Sequence, residues 1–393
     1  MSNSRTEEAI TLMNDFAQRT GLTSKQSARR YLWTDAFAVC NFLGLAHATG
    51  EAQYRQLALR LIEQVHHTLG QHRNDDPRSG WISGLSEREG ESHPTRGGLR
   101  IGKELSERGP DEPFDERLEW ERDGQYFHYL AKWMHALDQM SRSTSDPRFN
   151  TWARELAKTA HDTFVYQSSP GSTPGMYWKM SIDLTRPLVP SMGQHDPLDG
   201  YITSLQLRAT ADGLPRPVSG PGLEDTARQF LAMTAGANLT SPDPLGIGGL
   251  LSDAYRVWQL MQQGERVEVH LLEHLLTAAL AGLEYYAISD ELQAPAEYRL
   301  AFRELGLGIG LHAVQRMWEA AQGGAADSPV HAQLEALMRY VPLGEEIESF
   351  WRNPRNRSAR TWSEHRDINE VMLATSLAPD GFLVLHHPST LSR

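Results

Sequence analysis

Apolar residues recur every three to four positions along most of the chain, the period of a helix with one buried stripe. The pattern predicts helices over 5–19, 26–48, 51–70, 121–142, 147–165, 197–211, 223–235, 246–263, 268–288, 295–322, 330–341 and 364–377. Strand signals are scarce, and only Gly381-Phe382-Leu383-Val384-Leu385 reads as a short one. Two stretches offset by 95 positions share one pattern of polarity. Tyr31-Leu32-Trp33 leads through Thr49-Gly50-Glu51-Ala52-Gln53-Tyr54, and Tyr126-Phe127-His128 leads through Thr144-Ser145-Asp146-Pro147-Arg148-Phe149. In each, an aromatic, sparsely charged helix passes over a short polar turn into a charged amphipathic one. A ring of paired helices needs that asymmetry, with an inner wall around a cavity and an outer wall facing water. About a dozen helices paired in this way fit a single all-α domain over residues 1–393, an (α/α)6 toroid.

The connections are unequal. Turns at 48–51 and 143–147 are tight, and Asp146-Pro147 reads as an N-cap followed by proline at the first helical position. The segments 71–120 and 166–196 are long and rich in Gly, Pro and Trp, and each leads from an outer helix into an inner one. The segment 352–363 does the same, so the elaborated loops fall on one rim, where the inner helices begin. Loops of this length inside a compact domain carry function or are disordered. Trp81, Trp120, Tyr177 and Trp178 argue for order here.

Composition narrows the class. With 40% hydrophobic and 22% charged residues the chain is an ordinary globular protein. Its 38 basic and 50 acidic residues leave a formal charge of −12 without a basic run, so no nucleic-acid partner is expected. No apolar stretch is long enough to span a membrane and the first residues form no apolar signal, which makes a cytoplasmic protein the expectation. Cys40, the only cysteine, sits among Phe37, Ala38, Val39 and Phe42 and reads as a buried side chain rather than a nucleophile. Gly306, Gly308 and Gly310 interrupt a helical run and read as a close helix contact. Sixteen histidines include no H-E-x-x-H, and neither a metal nor a cofactor is expected.

The first turns of the inner helices gather the candidate chemistry. One offers Tyr31, Trp33 and Asp35; a second offers Asp123, Gln125, Tyr126 and His128; a third offers Gln194, His195, Asp196 and Asp199; the last offers Trp362 and His365. Asp196-Pro197 also reads as an N-cap, a purely structural use of that acid. Aromatic faces beside carboxylates and amides suit sugars, whose C–H faces stack on rings while their hydroxyls take hydrogen bonds. Two acids in different environments can then divide general-acid and general-base work. Asp123 and Asp199 are the leading pair, with Asp35 and Asp196 as rivals. Trp178 adds a further platform, and Arg100 and Lys103, in a glycine-rich segment, are cations for an acidic substituent.

The hairpin alternation, with turns of the form Thr-Gly-Glu/Asp-x-x-Tyr at Thr49 to Tyr54 and Thr144 to Phe149, resembles the six-hairpin glycosidase superfamily. That resemblance implies a funnel at the N-terminal ends of the inner helices and carbohydrate chemistry without naming the reaction. The expected function is a carbohydrate-active enzyme, foremost a glycoside hydrolase on a small saccharide or glycoside. The alternatives are a sugar epimerase or isomerase working through His128 and His195, a polysaccharide lyase, a terpene-cyclase-like enzyme, and a saccharide-binding protein without chemistry.

Overall fold

The 95-residue offset holds at every boundary: helices Leu32–Thr49 and Ala52–Leu69 recur as Phe127–Thr144 and Pro147–Phe164. Leu32 through Leu45 are buried at nearly every position, whereas Ala52–Leu69 buries one stripe of Tyr54, Ala58, Leu61, Ile62, Val65 and Leu69. That is the inner and outer contrast read from polarity. Asp146 caps its helix through Oδ1, 3.0 Å from the Arg148 amide, with Pro147 behind it. The structure, a computed structural model, describes residues 2–169, 172–322 and 328–386. Among them no helix is long and apolar enough to cross a membrane.

Several boundaries differ from expectation for local reasons. The helix expected from 26 starts at Leu32, whose amide bonds the Ile101 carbonyl at 3.0 Å. The helix expected from 121 starts at Phe127, because Gln125–Tyr126 pair as a strand with Lys179–Met180, which in turn pair with Pro187–Val189. Residues 123–126 therefore share no helical face. The helix expected from 295 starts at Ala301 after two 3-10 turns. Residues 381–385 are not a strand; Asp380–Leu383 form a helical turn. An amphipathic helix, Val341–Arg352, follows Pro329–Met338 and was not anticipated.

Contacts group the chain into two units. The first comprises residues 17–46, 51–237 and 386. Its core holds a polar knot: Asp138, fully buried, accepts from Arg142 Nε (2.9 Å), Asn150 Nδ2 (3.2 Å), Gln206 Nε2 (2.7 Å) and Thr210 Oγ1 (2.9 Å). This ties Phe127–Thr144 to Pro147–Phe164 and Asp196–Gly213, and so fixes where the first turns of two of these helices stand. A buried charge is tolerated when its lone pairs are filled this completely.

The second unit comprises residues 2–16, 47–50 and 238–385. Helices Pro244–Gln262 and Ala301–Ala321 pack backbone to backbone: a Cβ on Gly248 would lie 2.1 Å from the Gly306 carbonyl oxygen. A Cβ on Gly310 would lie 2.7 Å from the Gly248 Cα and carbonyl oxygen, which accounts for glycine at that position. Glu304 is held by both Arg299 (2.7 and 2.8 Å) and the Trp351 indole (2.7 Å). Glu348 collects Arg5, His312 and Ser376.

Candidate active site

The long loop 71–120 is fastened, and Asp123 is the fastener. Its carboxylate is fully buried; Oδ2 accepts from Arg100 (2.8 Å) and Arg73 (3.3 Å), and Oδ1 accepts the amides of Gly102 (2.9 Å), Lys103 (3.3 Å) and Gly124 (3.1 Å). Arg100 spends its remaining donors on the Gln71 and Thr68 carbonyls. Gln125 works the same way, donating to Gly97 and Ile182 carbonyls and accepting the Leu99 amide at 2.8 Å. A Cβ on Gly98, at φ +73°, would lie 2.0 Å from Gln125 Oε1, so only glycine fits that turn. Asp123, Arg100 and Gln125 thus hold chain to chain.

Asp35 is likewise committed. It accepts the Tyr31 amide at 2.9 Å and Arg30 at 3.3 Å, closing the start of its helix. Trp33 is buried against Phe37, with ring centres 4.4 Å apart.

The remaining two acids stand differently. Asp196 does not cap its helix: His195 occupies the N-cap, and the Asp196 carboxyl lies inside the first turn, 4% exposed. Its Oδ2 has no hydrogen-bond partner among the described residues. A Cβ at Gly193 would come within 2.4 Å of that oxygen, so glycine keeps the approach open. The facing His128 places Nδ1 3.9 Å from Asp196 Oδ1, beyond hydrogen bonding, and that nitrogen too lacks a partner. Burial, and then the charge of Asp199, push the Asp196 carboxyl up to about 7. Burial pushes the His128 imidazole down to about 4. Near pH 6, then, the acid holds its proton and the imidazole is neutral.

Asp199 sits three residues on, one turn along the same face. Lys132 reaches both of its oxygens, at 2.9 and 3.1 Å. Lys132 lies four residues beyond His128, which puts imidazole and ammonium on one face of Phe127–Thr144. Sequence reasoning passed over Lys132 because a lysine on an amphipathic helix reads as solvated; the i, i+4 partnership with His128 was the available signal. Its charge also lowers the Asp196 titration. Lys132→Met is therefore expected to move the titration of the Asp196 carboxyl, followed by NMR, to higher pH. An unmoved titration would show that the ammonium does not act on Asp196.

Rings gather around His128. Tyr126 stacks on His128 (5.3 Å), Trp178 lies 6.2 Å from His128, and Trp120 meets Trp178 edge-on at 4.6 Å. The Tyr31 and Tyr129 hydroxyls bond each other at 2.7 Å. Tyr129 and Trp120 were not among the sequence candidates. Lys179, fully buried, donates to Glu119 Oε1 (2.9 Å) and to the Glu119 and Arg122 carbonyls, fixing the short helix Glu116–Glu121 that carries Trp120. Lys103 bonds the Trp120 carbonyl.

The other candidates are placed as follows. His195 is the N-cap beside Asp196, and Gln194 is an exposed neighbour. Trp362 and His365 belong to the second unit, where Trp362 stacks on Trp351 at 5.7 Å and His365 meets Phe302 at 5.8 Å. Cys40 is buried, and burial raises its thiol.

Solved structures carry the same mostly helical fold. A GH76 α-mannanase of Bacteroides thetaiotaomicron matches with a TM-score of 0.54 at 9% identity, over 97% of this chain and 96% of that one. An inactive α-1,6-mannanase variant, GH76A of Salegentibacter sp. HEL1_6, in complex with α-1,6-mannotriose, matches with 0.53 at 13% identity, over 95% and 99%. A D-mannose isomerase matches with 0.52 at 10% identity, over 96% of each chain. The chain has the mostly helical fold of these structures, an (α/α)6 toroid. No family model and no curated protein matches it.

Proposed function

We propose that the protein is a carbohydrate-active enzyme, specifically a glycoside hydrolase in which Asp196 is the general acid and Asp199 the ionised partner. The observation that carries this is the contrast between the two carboxyls. Asp196 is buried, has an oxygen without a partner and keeps its proton to about pH 7; Asp199 sits in an ion pair with Lys132. Pairs of acids whose environments differ in this way divide acid and base roles. In the reaction Asp196 donates its proton to the leaving glycosidic oxygen. Asp199 stabilises the positive charge that develops at the anomeric carbon, water adds there and gives a proton to the Asp196 carboxylate, restoring the acid, and the rings of Tyr126 and Trp178 hold the sugar. The shared fold extends to mannanases and a mannose isomerase alike, so the acid pair, not the fold, supports hydrolysis.

One observation favours a second reading. The partnerless His128 Nδ1 facing Asp196 could take a proton from a sugar carbon, as an epimerase or isomerase requires. Mass spectrometry after incubation of α-1,6-mannotriose and related mannosides in D2O separates the two. Hydrolysis is expected to give shorter chains whose masses sum to substrate plus water. Unchanged chain length with deuterium bound to carbon would replace the hydrolase reading by the second one.

A further inference from the structure

Resting on the carbohydrate reading of this site, we propose that the phenols of Tyr129 and Tyr31 form a hydrogen-bond relay whose outer member, Tyr31, donates to a hydroxyl of the bound sugar. The two phenol oxygens lie 2.7 Å apart. Two phenols carry two protons, and the single bond within the pair engages one of them. Neither hydroxyl has a second partner among the described residues. One O–H donor is therefore left over.

The pair joins the starts of two helices. Tyr31 precedes Leu32–Thr49, and its amide is held at 2.9 Å by Asp35, which Arg30 holds in turn. Tyr129 lies in the first turn of Phe127–Thr144, one residue past His128. Its ring meets His128 edge-on at 4.8 Å and Tyr126 at 5.2 Å. The phenols thus adjoin the rings gathered around the imidazole that faces Asp196. Both residues are half-buried, and burial raises both phenols, Tyr129 the more, so both stay protonated through the neutral range. Tyr129, the deeper of the two, has the rings of Tyr31, Tyr126 and His128 against it. It donates to the Tyr31 oxygen, and Tyr31 keeps its own proton for a ligand. A hydroxyl that accepts one hydrogen bond is polarised into a stronger donor, so Tyr129 acts through Tyr31 as a positioning residue.

The test measures affinity for methyl α-mannoside and its four monodeoxy forms by NMR titration, in wild type, Tyr31→Phe, Tyr129→Phe and the double variant. Tyr31→Phe is expected to weaken binding of the parent sugar about three- to tenfold, the usual contribution of one neutral hydrogen bond. One monodeoxy form, lacking the hydroxyl that the phenol meets, is expected to bind wild type and Tyr31→Phe equally. Tyr129→Phe is expected to lose less, and nothing further in the Tyr31→Phe background. Parent affinity unchanged in Tyr31→Phe overturns the proposal. So does an equal weakening of the parent and all four deoxy forms, the signature of a purely structural tie, and so do additive losses in the double variant. If wild type does not bind methyl α-mannoside the inference also falls, while turnover of mannotriose decides the hydrolase reading separately.

Discussion

Asp196→Asn is expected to abolish the chemistry while making the protein more stable. As general acid, Asp196 contributes roughly 10²–10⁴-fold to the rate, and an amide cannot donate that proton productively. The stability effect has the opposite sign because the folded state holds this carboxyl at about 7 against an ordinary value of 3.8. A group raised on folding contributes its full stability below the unfolded value and loses it as pH rises through the folded one. Between about pH 4 and pH 7 the native protein binds more protons than the unfolded chain, so wild-type stability falls across that window. The Asn variant lacks this decline. Its melting temperature is expected to exceed that of the wild type by a margin that grows from pH 4 to pH 7 and is constant above. The same titration sets the alkaline limb of wild-type activity near pH 7. A variant that keeps its activity, or melts lower at pH 7, would remove Asp196 from the role given to it.

Asp123→Asn is expected to do the reverse. Its carboxylate is enclosed by Arg73, Arg100 and three amides, with no exposed surface. Removing the charge leaves two guanidiniums facing an amide in a buried place. Breaking a buried pair on one side costs about 3–5 kcal/mol. Because this carboxylate fastens the loop 71–120, the loss is expected first as proteolysis within that loop, then as a lower denaturation midpoint. Turnover per folded molecule is expected to persist. Proteolysis profiles at fixed time, paired with active-fraction measurements, read both effects. Wild-type stability with lost turnover would return Asp123 to the catalytic group.

These two acids also show what was readable in the chain. The hairpin repeat was legible because helix polarity and turn composition are local, and its four boundaries recur 95 residues apart as the pattern implied. The short strands were not: Gln125–Tyr126 and Lys179–Met180 are two residues each and exist only through their pairing. Missing them gave Asp123 a helical face it does not have. The Asp-Pro signal shows the same limit. At Asp146-Pro147 the aspartate caps its helix. At Asp196-Pro197 the same dipeptide begins one residue later in the helix, and the carboxyl lies against Gly193 and His128. Which of these happens depends on neighbours brought in by the fold. That His128, Asp196 and Asp199 stand in first turns of two helices was legible; which acid keeps its proton was not, because burial and the Lys132–Asp199 pair decide it.

The most direct measurement is the titration of the Asp196 carboxyl carbon by NMR in aspartate-labelled protein, assigned by its absence in Asp196→Asn. A midpoint near 7, moving upward in Lys132→Met, is the expected result. A midpoint in the ordinary carboxylate range near 3.8 would mean that Asp196 is ionised at neutral pH and cannot be the proton donor.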